Sequence, residues 1–592
     1  MATHPGSSDA GRRQTPGWRG AGPVGLLLFG ALLLLRSWGR WCDPLVDTGR
    51  ELYAPWRLVE GDVLYRDVAW FNGPLSAYFH ALAFRLFGVG LQTLVVANVA
   101  VMAGTAALLH DLVRRLADRL TAAVGVALFL ACFALGQAFP PSDFTWAFPY
   151  SHELTHGVAL AVAALWALER AARTRRRCWL ACHGVLLGLV FLTKPEVFLA
   201  AALASAAGLF FYRTGVASLS PIVVGAAAPP LVAFVMLATA MPPAEACRGV
   251  LGGWTGAFLP ELRTNHFYRY TRGTLDIEHS LAMAALWSGA EIALFGALAL
   301  LARAWGKARD GSLVARVVAF AVPAAVLYAV PDIAWHHATR ALPFLLPVVL
   351  VVWVWRCWRV PGDLTAAGRA TLAVLGLTML AKVMWSARIA HYGFALVLPG
   401  TLALVVALLA DAPAALERRG GAPQVFRSAV VGVLVAMVAH FVGVSGKYFA
   451  SHTTPVAEGG DAFLADARGR LVETALEILR DAGADGRTLL VLPEGVTINY
   501  LGRMRTPTSF INFLPPELII FGEDRILQSL RAQPPDFLVL LPRSMREYGE
   551  EHWGDRYGAS LARWAAEPRR FELLKEVRTP AGRLLMQVLR RR

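Results

Sequence analysis

Asp47 stands directly after the first hydrophobic segment, in the run Cys42-Asp-Pro-Leu-Val-Asp-Thr-Gly-Arg-Glu51. A carboxylate placed where a helix leaves a membrane is costly, and its retention there points to use. Asp47 and Glu51 are four apart, so on a helix they share a face. A carboxylate within hydrogen-bond reach of an acceptor hydroxyl can take its proton. Glu60, Asp62 and Asp67 add acids to the same loop. The plainer reading is a solvated loop, in which acids are ordinary.

Further candidates lie along the chain. Asp143 precedes His152, Glu153 and His156, and either Asp143 or Glu153 could supply a second acid. His152 and His156, at i and i+4, are one helical turn apart and could hold zinc, so a divalent metal stays open as a cofactor. Lys194, in Thr193-Lys-Pro-Glu196, falls between two apolar blocks, where a charge is expensive unless used or neutralised by Glu196. Arg340, in His336-His-Ala-Thr-Arg340, and the group Lys382, Arg388, His391 and Tyr392 are further, mostly basic, candidates. For Lys382 the alternative is a side chain snorkelling to the membrane interface.

The elements that must position these residues are membrane helices. The chain has 592 residues, 56% hydrophobic and 17% charged, with mean hydropathy +0.48. Apolar blocks such as 91–113, 120–138 and 428–446 approach the roughly 20 residues that span a bilayer. About thirteen spans are expected. Net charge is +15, but the basic residues fall in alternate short loops. Arg114, Arg115 and Arg119 form one group, Arg170 to Arg177 another, then Arg303 to Arg309, Arg356 with Arg359, and Arg418 with Arg419. That alternation follows the positive-inside rule, which accounts for the charge without nucleic acid. It predicts a cytoplasmic tail over 1–21, a multi-spanning domain over 22–446 and an extracytoplasmic α/β domain over 447–592. The segment 22–35 reads as a retained signal anchor, since no small-x-small cleavage site follows it.

Long loops over 40–90 and 241–280 fall on the outer side in this reading, with an amphipathic segment at 75–87. In the last domain, 471–482 reads as an amphipathic helix, and 488–492, 537–541 and 584–588 read as strands. The last of the six cysteines is Cys357, so no disulfide staples that domain. There is no P-loop, no Gly-rich dinucleotide fingerprint and no internal repeat.

The runs Asp47-Thr-Gly-Arg-Glu-Leu-Tyr53, Glu60-Gly-Asp-Val-Leu-Tyr-Arg-Asp67, Gly73-Pro-Leu-Ser-Ala-Tyr78 and Phe84-Arg-Leu-Phe-Gly88 resemble the opening of bacterial GT-C glycosyltransferases. That group includes protein O-mannosyltransferases and aminoarabinose transferases. The resemblance implies transfer of a sugar from a polyprenyl-phosphate donor to a lipid, glycan or protein acceptor on the outer face of the inner (plasma) membrane. It implies inversion, with Asp47 as base and Glu51 or Asp143 assisting. The family often has an adjacent Asp-Glu pair; here Glu51 is four residues from Asp47. Lys194, in a basic-Pro-Glu turn, and Arg340, in a late His/Arg…Pro loop, match the family's pattern and imply contacts to the donor phosphate. Lys382, His391 and Tyr392 are expected beside them.

Two other classes compete. A transporter or flippase would favour internal repeats and charges at the membrane midplane. A non-catalytic scaffold would not need acid-rich outer loops. Leu492-Pro-Glu-Gly-Val496 reads as part of an acceptor edge or lid.

Overall fold

The computed structural model describes residues 21–140, 143–215, 218–330 and 333–592. The expected tail over 1–21 lies almost wholly outside the described residues. From the first apolar segment the chain forms α1 (Ala21–Ser37), α2 (Thr48–Val59), α3 (Leu75–Phe87), α4 (Leu91–Leu116) and α5 (Arg119–Leu128). A π-helical turn, Phe129–Ala134, extends α5. Then come α6 (His152–Thr174), α7 (Arg177–Phe191), α8 (Pro195–Phe211) and α9 (Leu219–Ala238). Four short helices follow: α10 (Pro243–Val250), α11 (Gly252–Ala257), α12 (Pro260–Thr264) and α13 (His266–Arg272). The bundle is completed by α14 (Ile277–Trp305), α15 (Leu313–Ala329), α16 (Leu342–Arg359), α17 (Leu364–Leu380), α18 (Leu398–Val406), α19 (Ala412–Arg418) and α20 (Pro423–Ala450).

Among the described residues six helical segments are long and apolar enough to cross a membrane, and six shorter apolar helices pack among them. With α6 they make the thirteen expected spans. Bundle-facing positions are small and apolar, while Val314 and Val351 stay 71% and 67% exposed, as side chains facing lipid would. Local chemistry sets the helix starts. Asp118, Asp276 and Ser312 accept from backbone N–H groups at the starts of α5, α14 and α15, and Pro195 opens α8.

The basic loops share one end. Arg173 donates to the Arg115 carbonyl, Arg369 to the Leu116 carbonyl, and Arg427 pairs with Asp118. Arg356 and Arg369 both pair with Asp411. The opposite end carries the long loops and the C-terminal domain.

That domain holds α21 (Gly469–Asp481), α22 (Thr497–Leu501), α23 (Pro515–Phe521), α24 (Glu523–Ala532) and α25 (Ala559–Ala565). Its strands are β1 (Thr454–Val456), β2 (Phe463–Ala465), β3 (Leu489–Leu492), β4 (Phe537–Leu540), β5 (Phe571–Arg578) and β6 (Leu584–Arg591). The four-stranded sheet runs β3-β4-β6-β5, with β3 parallel to β4 and the other pairs antiparallel. Leu490, Leu492, Phe513, Leu538 and Trp564 fill one side of it.

The expected strands at 488–492, 537–541 and 584–588 are present, as is the amphipathic helix. Several expectations need correction. The loop 241–280 is largely helical. The last span runs to Ala450, past the expected boundary at 446. α17 ends at Leu380, where the chain unwinds into the irregular segment 381–397. β5 was unforeseen because Phe571–Arg578 carries four charges; it is a sheet-edge strand whose charged side chains face water.

Two long loops thus become walls. α2 packs against α22: Gly49 lies so close to the Thr497 backbone that a Cβ would overlap it. The Tyr53 hydroxyl accepts from the Thr506 N–H at 2.8 Å, and the Trp56 and Tyr500 rings meet edge-on at 6.1 Å.

Candidate active site

Asp47 occupies the turn entering α2 with φ +56°. A residue bearing a Cβ seldom adopts that region, and it persists only where its surroundings impose it. Here they do. The Asp47 N–H donates to Glu494 Oε1 at 3.1 Å, and Glu494 is ion-paired to Arg543. Just upstream, Asp43 Oδ1 accepts from the Leu45 and Val46 N–H groups at 3.0 and 2.9 Å, and Arg468 clamps Asp43 Oδ2 at 2.6 Å. Three residues of the C-terminal domain therefore fix the backbone that presents Asp47.

The Asp47 side chain opens onto a cavity of about 110 Å³. The bundle contributes Arg50, Tyr150, Lys194, Lys382 and Tyr392; the C-terminal domain contributes Asn512, Glu517, Arg543 and Tyr548; α13 contributes Tyr268. Four cations and two carboxylates thus face one space.

Arg50 is nearly buried and heavily bonded. It donates to Glu51 Oε1 at 2.9 Å and to the Tyr150 carbonyl at 2.7 Å, with Asp47 at 3.7 Å and Glu517 at 4.0 Å. Burial works against its charge, but Glu51, Asp47 and Glu517 more than offset that and raise its pKa. Lys194 lies 5.3 Å over the Tyr150 ring. Burial and the nearby Lys382 lower the Lys194 ammonium to about 8. Lys382 is ion-paired to Glu196. Tyr392 donates from its hydroxyl to Glu547 at 3.1 Å, and Glu547 also accepts from Arg543 at 2.7 Å.

Behind Asp47 sits Asp143, 1% exposed, with no donor reaching either oxygen. Burial, then the charges of Asp47 and Asp43, push its carboxyl well above the usual range. Both effects favour its protonated form. Glu517 is likewise pushed up by burial, against the pull of Arg50, and accepts from Asn512 at 2.9 Å.

The expected site residues therefore separate. Asp47, Lys194, Lys382 and Tyr392 line the cavity. Asp143 is buried beside them, without a hydrogen-bond partner for either oxygen. Glu51 does not reach the cavity; it holds Arg50 and meets His152 Nδ1 at 2.5 Å. Arg340 and His391 are not among the cavity's lining residues. His152 and His156 belong to a buried hydrogen-bond network with Glu51, Ser76 and Asn98, and among the described residues no three His, Cys, Asp or Glu side chains are placed to hold a metal. Glu153 accepts from Ser151 in the same region. Leu492-Pro-Glu-Gly contributes Glu494 as the support of Asp47. Sequence reasoning missed Arg50, Glu517, Arg543 and Tyr548. Only Arg50 had a local signal, the Asp47-x-x-Arg50 spacing; the others come from some 470 to 500 residues away.

Chemically, a fixed carboxylate beside several cations can bind an anion and take a proton next to it. The family model described as dolichyl-phosphate-mannose-protein mannosyltransferase matches residues 72–238, a stretch with Asp143 and Lys194 but without Asp47. The chain resembles the GT-C membrane glycosyltransferases. It is also similar to ArnT from Cupriavidus metallidurans bound to undecaprenyl phosphate, at 12% identity and TM-score 0.48, over 97% of this chain and 98% of that one. A second similar structure is the Archaeoglobus fulgidus oligosaccharyltransferase in complex with Zn and sulfate, at 12% identity and TM-score 0.48, over 94% of this chain and 72% of that one. No curated protein matches the sequence.

Proposed function

We propose that this chain is an integral membrane glycosyltransferase that moves a sugar from a polyprenyl-phosphate donor to a lipid, glycan or protein acceptor. Its site lies at the bundle end opposite the basic loops, and the positive-inside rule makes that end extracytoplasmic. The observation that carries this reading is the pairing in one cavity of Asp47, held at positive φ, with Arg50, Lys194, Lys382 and Arg543.

The donor's phosphate carries the charge that leaves with the lipid. Preorganised cations stabilise that charge as the anomeric bond breaks. Lys194 and Arg50 are placed to take the phosphate oxygens, with Lys382 and Arg543 flanking them. Asp47 then removes the proton from the acceptor hydroxyl or amine as it attacks from the opposite side, which inverts the anomeric carbon. The protonated Asp143 keeps Asp47 charged and oriented. Glu51 acts one step back, holding the Arg50 guanidinium in place through a charge-assisted bond.

The deciding experiment uses purified protein in lipid nanodiscs with a polyprenyl-phosphate sugar. Asp47→Asn should abolish release of the polyprenyl phosphate while donor binding stays measurable. Turnover at the wild-type rate in that variant would remove Asp47 as base.

A further inference from the structure

His152 is not among the residues lining the Asp47 cavity, yet a chain of bonds leads from it to Arg50, which is. It opens α6 and is fully buried, at 0% exposure. Its Nδ1 lies 2.5 Å from Glu51 Oε2. The other oxygen, Glu51 Oε1, accepts from Arg50 Nε at 3.2 Å and from Arg50 Nη2 at 2.9 Å. Glu51 thus holds the guanidinium with one oxygen and the imidazole with the other.

The bonding assigns the ring proton. His152 Nε2 is buried without a partner, so a proton there would be an orphaned donor, at a cost of about 1–3 kcal/mol. The proton therefore sits on Nδ1 and is donated to Glu51. The plane of the ring is set from its other side. His80 on α3 meets it edge-on, with ring centroids 4.3 Å apart, and Phe148 packs at 5.5 Å. His80 Nε2 is bonded to Asn98 Oδ1 at 3.0 Å, and Asn98 on α4 donates to the Ala147 carbonyl at 3.1 Å. Contacts running from α4 through α3 and α6 to α2 end on a guanidinium in the cavity.

Arg50 needs that restraint. Asp47 Oδ1 lies 3.7 Å from its Nη2, and Glu517 Oε1 lies 4.0 Å from its Nη1. Arg50 is thus only about 1 Å short of a direct charge-assisted bond to Asp47. Glu51 holds it back, and an unanchored Glu51 would let it close. The closed pair would occupy the carboxylate read as the base and withdraw the cation from the phosphate.

We propose that His152 is a positioning residue: its Nδ1–H fixes Glu51, and Glu51 keeps Arg50 turned to the donor rather than closed onto Asp47. Its consequence for turnover rests on the sugar-transfer reading; the placement of Arg50 does not.

Two amide substitutions test it. The side-chain nitrogen of Asn falls near the place of Nδ1, and that of Gln near the place of Nε2. His152→Asn therefore keeps a donor towards Glu51, and His152→Gln does not. Full-length protein in nanodiscs is read in two ways. Release of polyprenyl phosphate from a synthetic polyprenyl-phosphate sugar gives kcat and KM. Modification of Arg50 by phenylglyoxal, followed by peptide mass spectrometry, reports the restraint on the guanidinium without turnover. His152→Gln should lower kcat/KM by about 10- to 100-fold, as for a lost charge-assisted bond, and speed Arg50 modification by about threefold or more. His152→Asn should stay within about threefold of wild type in both readings. In a Glu51→Gln background, His152→Gln should add less than about twofold, because the contact it breaks is already weakened. His152→Met, which also lacks the donor, replaces His152→Gln if that variant does not fold. Equal values for the Asn and Gln variants would overturn the inference. A loss of turnover with no change at Arg50 would overturn it too, since the effect would then run through the fold. If the wild type releases no polyprenyl phosphate while the Arg50 rates still differ, the sugar-transfer reading falls and the placement of Arg50 by His152 stands.

Discussion

The Asp47 cavity and the Arg340–Arg388 pair both gather cations at the same end of the bundle, yet they are built on opposite charge rules. At Asp47 the cations stand among Asp47, Glu51, Glu196, Glu494, Glu517 and Glu547, most of them held by named bonds. At Arg340 and Arg388 no described carboxylate pairs with the guanidiniums. The first is balanced by the chain's own carboxylates; the second, among the described residues, is not.

Removing the one group that reacts should break the contrast hardest. Asp47→Asn is expected to lower sugar transfer by about 10³-fold or more, the range of a lost general base, with donor binding little changed; release of polyprenyl phosphate from a synthetic donor measures it. Next, Lys194→Ala should weaken donor binding by about 10- to 100-fold, as for a lost charge-assisted bond, while Arg340→Gln leaves it within about twofold. Equilibrium binding of a fluorescent polyprenyl-phosphate sugar distinguishes them, and equal losses in both would join Arg340 to the donor contacts.

A pH titration sharpens the same point. The Lys194 pKa is lowered, to about 8, so its positive charge is present below that value and lost as pH rises through it. Donor binding should therefore weaken from pH 7 to 9. Lys194→Arg, always charged in this range, should remove that fall. The smallest effect is expected from Asp143→Asn, which still offers a donor towards Asp47: transfer should drop less than about tenfold, whereas Asp143→Ala, which leaves Asp47 unsupported, should cost more. Steady-state rates of the two variants decide it.

Much of this was open to the sequence. Asp47 was visible because an acid at a helix exit is costly, and Lys194 because a lysine between two apolar blocks is. Arg340 was marked for the same phosphate from the family-like His/Arg…Pro loop and His391 from the Lys382–Tyr392 group; neither lines the Asp47 cavity, because a motif does not report which cavity its side chain faces. Glu51 illustrates the same limit, since the spacing that puts it on the face of Asp47 does not reveal that His152 and Arg50 turn it away from the cavity.

By itself the sequence determined the membrane bundle, the end at which its basic loops gather and most of the strands of the last domain. Those follow from hydrophobic blocks, charge alternation and short unbroken apolar runs, which are local in the chain. Tertiary structure alone decided which residues of the C-terminal domain meet Asp47 and its cavity. Glu494 receives the Asp47 N–H across 447 residues, and Glu517, Arg543 and Tyr548 close the cavity. Contacts at that separation leave no periodicity to read, because they depend on how two folded surfaces meet at α2 and α22.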